Sequence, residues 1–90
     1  MLKILEDLIL LARERKMNPI KDSYTNKLLE DKFLAKDKVL EEVSELIQAV
    51  EESSNKIHEA ADVLYHLMMY LEANDIKIEE IMEELASRRK

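Results

Sequence analysis

The chain has 90 residues, no Cys, no Gly and a single Pro, Pro19. The missing Cys excludes a disulfide framework and thiolate metal sites, and the missing Gly argues against a sheet, whose tight turns usually need it. A net charge of −6 lacks the basic footprint of a general nucleic-acid binder, but it leaves nucleotide substrates open, because bound cations invert local charge.

Hydrophobic residues reach 47%. That is enough for one helical domain over residues 1–90, with apolar surface left over for a partner subunit. The apolar start of the chain is interrupted by Glu6 and Asp7, so it does not read as a signal peptide. The longest run without a charged residue, Val63–Leu71, is far short of the roughly 20 residues a membrane span needs. The expectation is a soluble cytoplasmic protein with no membrane or nucleic-acid partner.

In chain order, the first helix is expected over about residues 2–16, with Leu2, Leu5, Ile9 and Ala12 on one stripe and Leu8 and Leu11 widening it. Asn18-Pro19 stops it, and Ser23-Tyr24-Thr25 reads as a polar turn. Residues 26–33 are expected to form a short helical turn. The second helix is expected over about 37–51, with Val39, Val43, Leu46, Ile47 and Val50 inward. Ser53-Ser54-Asn55 is a turn in which Ser54 or Asn55 caps the next helix. The third helix, 56–73, carries a core stripe of Ile57, Ala60, Ala61, Leu64, Leu67, Met68 and Leu71. Asn74 is expected to end it in a left-handed cap. A last helix, 78–88, turns Ile81, Met82 and Leu85 inward. The pattern predicts an all-α fold, a bundle of four to five helices completed by dimerisation.

Two acidic pairs carry the chemistry: Glu42-x-x-Glu45 and Glu59-x-x-Asp62. Residues three apart on a helix lie about 60° from each other around the axis, so each pair shares a stripe. Residues 46–58 separate the pairs, room for a helix end, a turn and a helix start. Antiparallel helices then bring four carboxylates together, and hard oxygen ligands of this kind suit Mg²⁺, with Mn²⁺ as the alternative. Charge runs are usually solvated faces, but these pairs border the apolar stripes. Lys38, one turn before Glu42, reads either as an i,i+4 partner of it or as a phosphate contact. The three hydroxyls Ser23-Tyr24-Thr25, flanked by Lys21 and Lys27, read either as a capping loop or as a phosphate or ribose contact. A lone His beside a core, such as His66, is more often a hydrogen-bonded structural residue than a ligand. Tyr65 and Tyr70 read first as boundary aromatics, and Met68 and Met69 as core or dimer filler.

The string Ser23-Tyr24-Thr25-x-Lys27-Leu28-Leu29 resembles the signature loop of the phosphoribosyl-ATP pyrophosphatases of histidine biosynthesis. Lys38-Val39-x-Glu41-Glu42-x-x-Glu45 and Glu59-Ala60-Ala61-Asp62-Val63-Leu64-Tyr65-His66-Leu67 are similar to that family's two acidic helix motifs. The paired acidic motifs alone imply only the wider all-α, MazG-type nucleoside triphosphate pyrophosphatase superfamily. The chain departs from the family in having Leu40 where a Gly is common, and Glu30-Asp31-Lys32 in a stretch that often carries one.

The resemblance implies hydrolysis of the α–β phosphoanhydride of phosphoribosyl-ATP. It places Mg²⁺ on Glu42, Glu45, Glu59 and Asp62, with Glu41 as a further ligand or the base that orients water, and Glu42 and Glu41 as the catalytic pair. Ser23, Tyr24, Thr25, Lys27 and Lys38 then hold phosphate and ribose. The rival readings are a house-cleaning nucleoside triphosphate pyrophosphohydrolase and a non-catalytic helical interaction module. A di-iron bundle fits less well, because it wants Glu-x-x-His repeats, and Glu59-x-x leads to Asp62.

Overall fold

The computed structural model describes residues 2–89, leaving only Met1 and Lys90 outside it. Five helices and no strand occur among the described residues: α1 (Lys3–Met17), α2 (Tyr24–Glu30), α3 (Lys32–Glu52), α4 (Lys56–Ala73) and α5 (Ile78–Ser87). The fold is all-α, as the missing Gly suggested.

Caps explain most of the boundaries. Asn18, the residue before Pro19, closes α1, because a residue before Pro is driven out of the helical region. Ser23 caps α2 by accepting from the Asn26 backbone N–H, and Asp31 caps α3 by accepting from the N–H groups of Phe33 and Leu34. Asp31 therefore splits the segment expected as one helical turn, and the second expected helix starts at Lys32 rather than near Asp37. With no Gly available, four other residues take left-handed backbone: Asp22, Ser53, Asn55 and Asp75. Asn and Asp tolerate that region best, since their short polar side chains bond locally. Asn55 stands at the N-cap of α4 as expected, but its side chain makes no cap bond. The left-handed residue after α4 is Asp75, not Asn74; Asn74 instead donates its amide to the Tyr70 carbonyl at 2.8 Å.

The α3–α4 hairpin is the most extensive contact in the chain, and α2 and α1 lie against α4. The core gathers Ile9, Ala12, Leu28, Leu29, Ala35, Met68 and Met69. Alpha-helix α5 touches the body least. It is seated by Ile78 and by Arg13 of α1, whose guanidinium bonds Glu79 at 2.7 and 2.8 Å and Glu72 at 3.3 Å.

The expected apolar stripes are only partly inward. On α3 the buried residues are Ala35, Glu42 and Ala49, seven apart, while Val43, Ile47 and Val50 are exposed. On α4, Ile57 is 88% exposed and Ala61 and Leu64 also face out, whereas His66, Met68, Met69, Glu72 and Ala73 are buried. Leu2, at the N-cap of α1, and Met82 and Leu85 on α5 are exposed as well. The physical reason is rotation. The small Ala35 and Ala49 let α3 approach its neighbours closely along that line, so the flank bearing Glu42 enters the seam and the wider apolar stripe is left outside.

Candidate active site

The turn at 53–55 folds α3 and α4 into an antiparallel hairpin, so the Glu42–Glu45 flank of α3 faces the start of α4. Oxygens of Glu42, Glu45 and Glu59 all lie within 4.8 Å of one another. Ligand atoms of His58, Glu59 and Asp62 form a second group with the same spacing, and the Asp62 carboxylate lies 3.4 Å from His58 Nε2. Glu59 belongs to both groups. Three of the four expected carboxylates thus meet directly, and Asp62 joins through Glu59. His58, not anticipated from the sequence, is recognisable afterwards by its i,i+4 spacing from Asp62.

This grouping is held together against its own charge. Glu42 is buried, and the Oε2 atoms of Glu42 and Glu59 are buried without a hydrogen-bond partner. Burial, then the neighbouring Glu45 carboxyl and the charge of Asp62, push the Glu42 carboxyl above its usual range. Burial and the charges of Glu45 and Asp62 do the same to Glu59. Buried unpaired oxygens of this kind are destabilising unless something positive meets them. Glu42, Glu45, Glu59, Asp62 and His58 are the residues that could hold a metal ion, the carboxylate oxygens suiting a hard divalent cation and the imidazole a softer one. A cavity of about 160 Å³ opens beside it, lined by Glu45, Gln48, Ala49, Glu52, Ser54, Asn55 and Glu59.

Lys38 lies one turn before Glu42, and Glu41 immediately precedes it. Lys38 Nζ donates to Glu41 Oε2 at 2.9 Å, and this bond raises the lysine's pKa. The i,i+4 pairing with Glu42 does not form, because Glu42 points into the seam. Glu41 itself is outside both metal-spaced groups.

The hydroxyl loop sits at the start of α2. Ser23 Oγ receives the Asn26 N–H and a bond of 3.0 Å from the Arg15 guanidinium. Tyr24 reaches His66, and Thr25 reaches Tyr65, both on α4. The loop is fastened to α1 by Asn26, a buried residue sequence reasoning passed over. Its amide accepts from Ile20 N–H at 3.0 Å and donates to the Arg15 carbonyl at 2.9 Å. Lys27 is exposed on α2.

The described residues form a strand-free fold in which an E-x-x-E helix faces an E-x-x-D helix across a shared acidic group, an arrangement consistent with the all-α, MazG-type nucleoside triphosphate pyrophosphatases. The comparisons are narrower. The family model described as phosphoribosyl-ATP pyrophosphohydrolase matches residues 5–89. A phosphoribosyl-ATP pyrophosphatase of Methanobrevibacter smithii is 37% identical, covering 97% of this chain and 95% of that protein. One from Bacillus cereus strain AH187 is 42% identical over 84% of this chain and 74% of its own. The histidine biosynthesis bifunctional protein HisIE of Pyrococcus furiosus is 40% identical over 99% of this chain, which spans 43% of that longer protein. No solved structure matches. The chain belongs to the phosphoribosyl-ATP pyrophosphohydrolase family.

Proposed function

We infer that the chain hydrolyses phosphoribosyl-ATP at its α–β phosphoanhydride, adding water and releasing pyrophosphate and phosphoribosyl-AMP, the second step of histidine biosynthesis. The observation that carries the reading is the family match across residues 5–89, which takes in both acidic helices and the hydroxyl loop. The acidic group supports it from the chemistry. Phosphoryl transfer depends on positioning and charge neutralisation more than on covalent help.

Glu42, Glu45, Glu59 and Asp62 hold Mg²⁺ in this reading, with Mn²⁺ as the alternative; the unpartnered oxygens of Glu42 and Glu59 are what such an ion satisfies. The ion supplies charge neutralisation at the polyphosphate and a lowered pKa for the attacking water. Glu41 acts beside them as the group that orients that water, with Lys38 turned from Glu41 toward a bound phosphate. Ser23, Thr25 and Lys27 donate to phosphate and ribose oxygens, and Tyr24, whose own proton goes to His66, completes the contact by accepting from a ribose hydroxyl.

The working unit is a homodimer. Leu40, Val43, Ile47 and Val50 of α3 and Ile57 and Leu64 of α4 are exposed along the outer side of the hairpin. An apolar band of that extent is unusual on a monomer and matches what a second hairpin of the same kind would cover. A pyrophosphate-release assay with Mg²⁺ on phosphoribosyl-ATP, ATP and dCTP tests the substrate. Preference for phosphoribosyl-ATP supports the reading; equal or better turnover of dCTP or ATP replaces it with a house-cleaning pyrophosphohydrolase.

A further inference from the structure

His66 stands in the middle of α4, buried, one turn beyond Asp62. Its Nδ1 lies 2.8 Å from the Asp62 backbone carbonyl, and a carbonyl can only accept, so Nδ1 carries the proton. In the neutral ring Nε2 then offers a lone pair, and the Tyr24 hydroxyl, 2.8 Å away, donates to it. The next residue back on α4, Tyr65, hydrogen-bonds Thr25 through its hydroxyl. The rings close the arrangement. Tyr24 stacks on Tyr65 at 6.4 Å between centroids, and His66 stands edge-on to both, at 5.8 and 5.0 Å. Two neighbouring residues of α4 therefore grip two neighbouring residues at the start of α2.

The seam between α2 and α4 has apolar means of holding itself, with Leu28, Leu29, Met68 and Met69 all buried in it. Apolar packing is non-directional and permits sliding. Hydrogen bonds of fixed length and angle do not, and inside a low-dielectric seam they rigidify what they join. The imidazole is moreover tied to the backbone of Asp62, whose carboxylate belongs to the acidic group.

We propose that His66, assisted by Tyr65, is a positioning residue: it fixes the Ser23-Tyr24-Thr25 loop at a set register against the acidic helix, so that loop and carboxylates engage the same substrate. It touches neither substrate nor ion and acts through Tyr24. The proposal rests on the reading of that loop as substrate-binding, and the experiment separates the two.

The variants are Tyr24→Phe, His66→Asn, their double, His66→Gln, and Ser23→Ala/Thr25→Ala as a reference, each assayed well below its own melting temperature. Asn places an amide where Nδ1 was and keeps the Asp62 carbonyl bond but loses Tyr24. Gln reaches the Nε2 position and restores a partner for Tyr24. With phosphoribosyl-ATP we expect Tyr24→Phe and His66→Asn each to lower kcat/KM by about tenfold or more, the double to be no worse than the poorer single, and His66→Gln to recover most of the loss. Mn²⁺ affinity, titrated by electron paramagnetic resonance without substrate, should stay within about twofold of wild type throughout. Additive losses, no rescue by Gln, or a lower melting temperature with unchanged kcat/KM would overturn the positioning role. If the Ser23→Ala/Thr25→Ala reference keeps full kcat/KM, the loop reading itself fails, and the positioning proposal with it.

Discussion

Replacing Glu42 with Gln should stabilise the metal-free protein, an uncommon outcome for a change at a buried residue. The side chain keeps its shape and loses its charge. Oxygens of Glu42, Glu45 and Glu59 lie within 4.8 Å of each other. Two full charges at that distance repel by about 3.5 kcal/mol at an effective dielectric of 20. Glu45 is exposed to solvent, which screens the pair, so roughly half of that figure or less should be recovered. The new amide can also donate to a neighbouring carboxylate. We expect a gain of about 1–2 kcal/mol, or roughly 5–10 °C in Tm for a chain of this size. Mg²⁺ should reverse the order. At a hundred times its Kd a bound ion adds about 2.7 kcal/mol to the wild type, and most of that should be missing in the variant. The pH dependence follows the same sign. A carboxyl raised in the folded state holds its proton more tightly than the unfolded chain does. Metal-free wild type should therefore gain stability from this group as pH falls toward 4.5, and Glu42→Gln should lose that component. Thermal melts with and without Mg²⁺ across this range decide it. A metal-free variant less stable than wild type, or an undiminished Mg²⁺ shift, would refute the reasoning.

Two further outcomes are expected. Light scattering at micromolar concentration should show a dimer, and Ile47→Glu, on the exposed band of α3, should yield a monomer; a wild-type monomer would remove the proposed interface. Arg13→Met should destabilise by about 2–3 kcal/mol in chemical denaturation, because Glu72 is only 5% exposed and its carboxylate would be left with one weak partner, Lys16 at 3.9 Å. Arg13 also holds the Glu79 carboxyl down to about 2, so the stability this pair contributes is present above 4.5 and lost as pH falls toward 2; a wild type and an Arg13→Met variant with the same acid limb would contradict it.

Much of this architecture is legible in the chain. The acidic pairs declare themselves because a spacing of three on a helix is unambiguous, and Asn18-Pro19 stops α1 where it should. Ser23 reads as a cap and is one. Asp31 carries the same signal, an acidic cap before a helix, inside the stretch expected as one helical turn. The faces were harder. A wide apolar stripe does not say which of its edges meets the neighbouring helix, and on α3 the choice was made by Ala35 and Ala49, two small residues with little hydrophobic weight. Val43, Ile47 and Val50, expected inside, accordingly lie outside. Asn26 and His58 escaped notice because their partners, the Arg15 carbonyl and Glu59 with Asp62, are set by tertiary geometry or by a neighbour one position along. The hydrogen bond between Tyr24 and His66 spans 42 positions, a distance no local pattern carries.

The central claim is that one carboxylate group does the chemistry, and Glu59, common to both metal-spaced sets, is its most exposed point of test. The measurement is pyrophosphate release from phosphoribosyl-ATP by Glu59→Gln, across Mg²⁺ from limiting to saturating, with the fold checked by circular dichroism. The expected result is a helical, folded variant whose kcat/KM is lower by at least about a hundredfold and is not restored by excess Mg²⁺. Near-wild-type release at limiting Mg²⁺ would contradict the account.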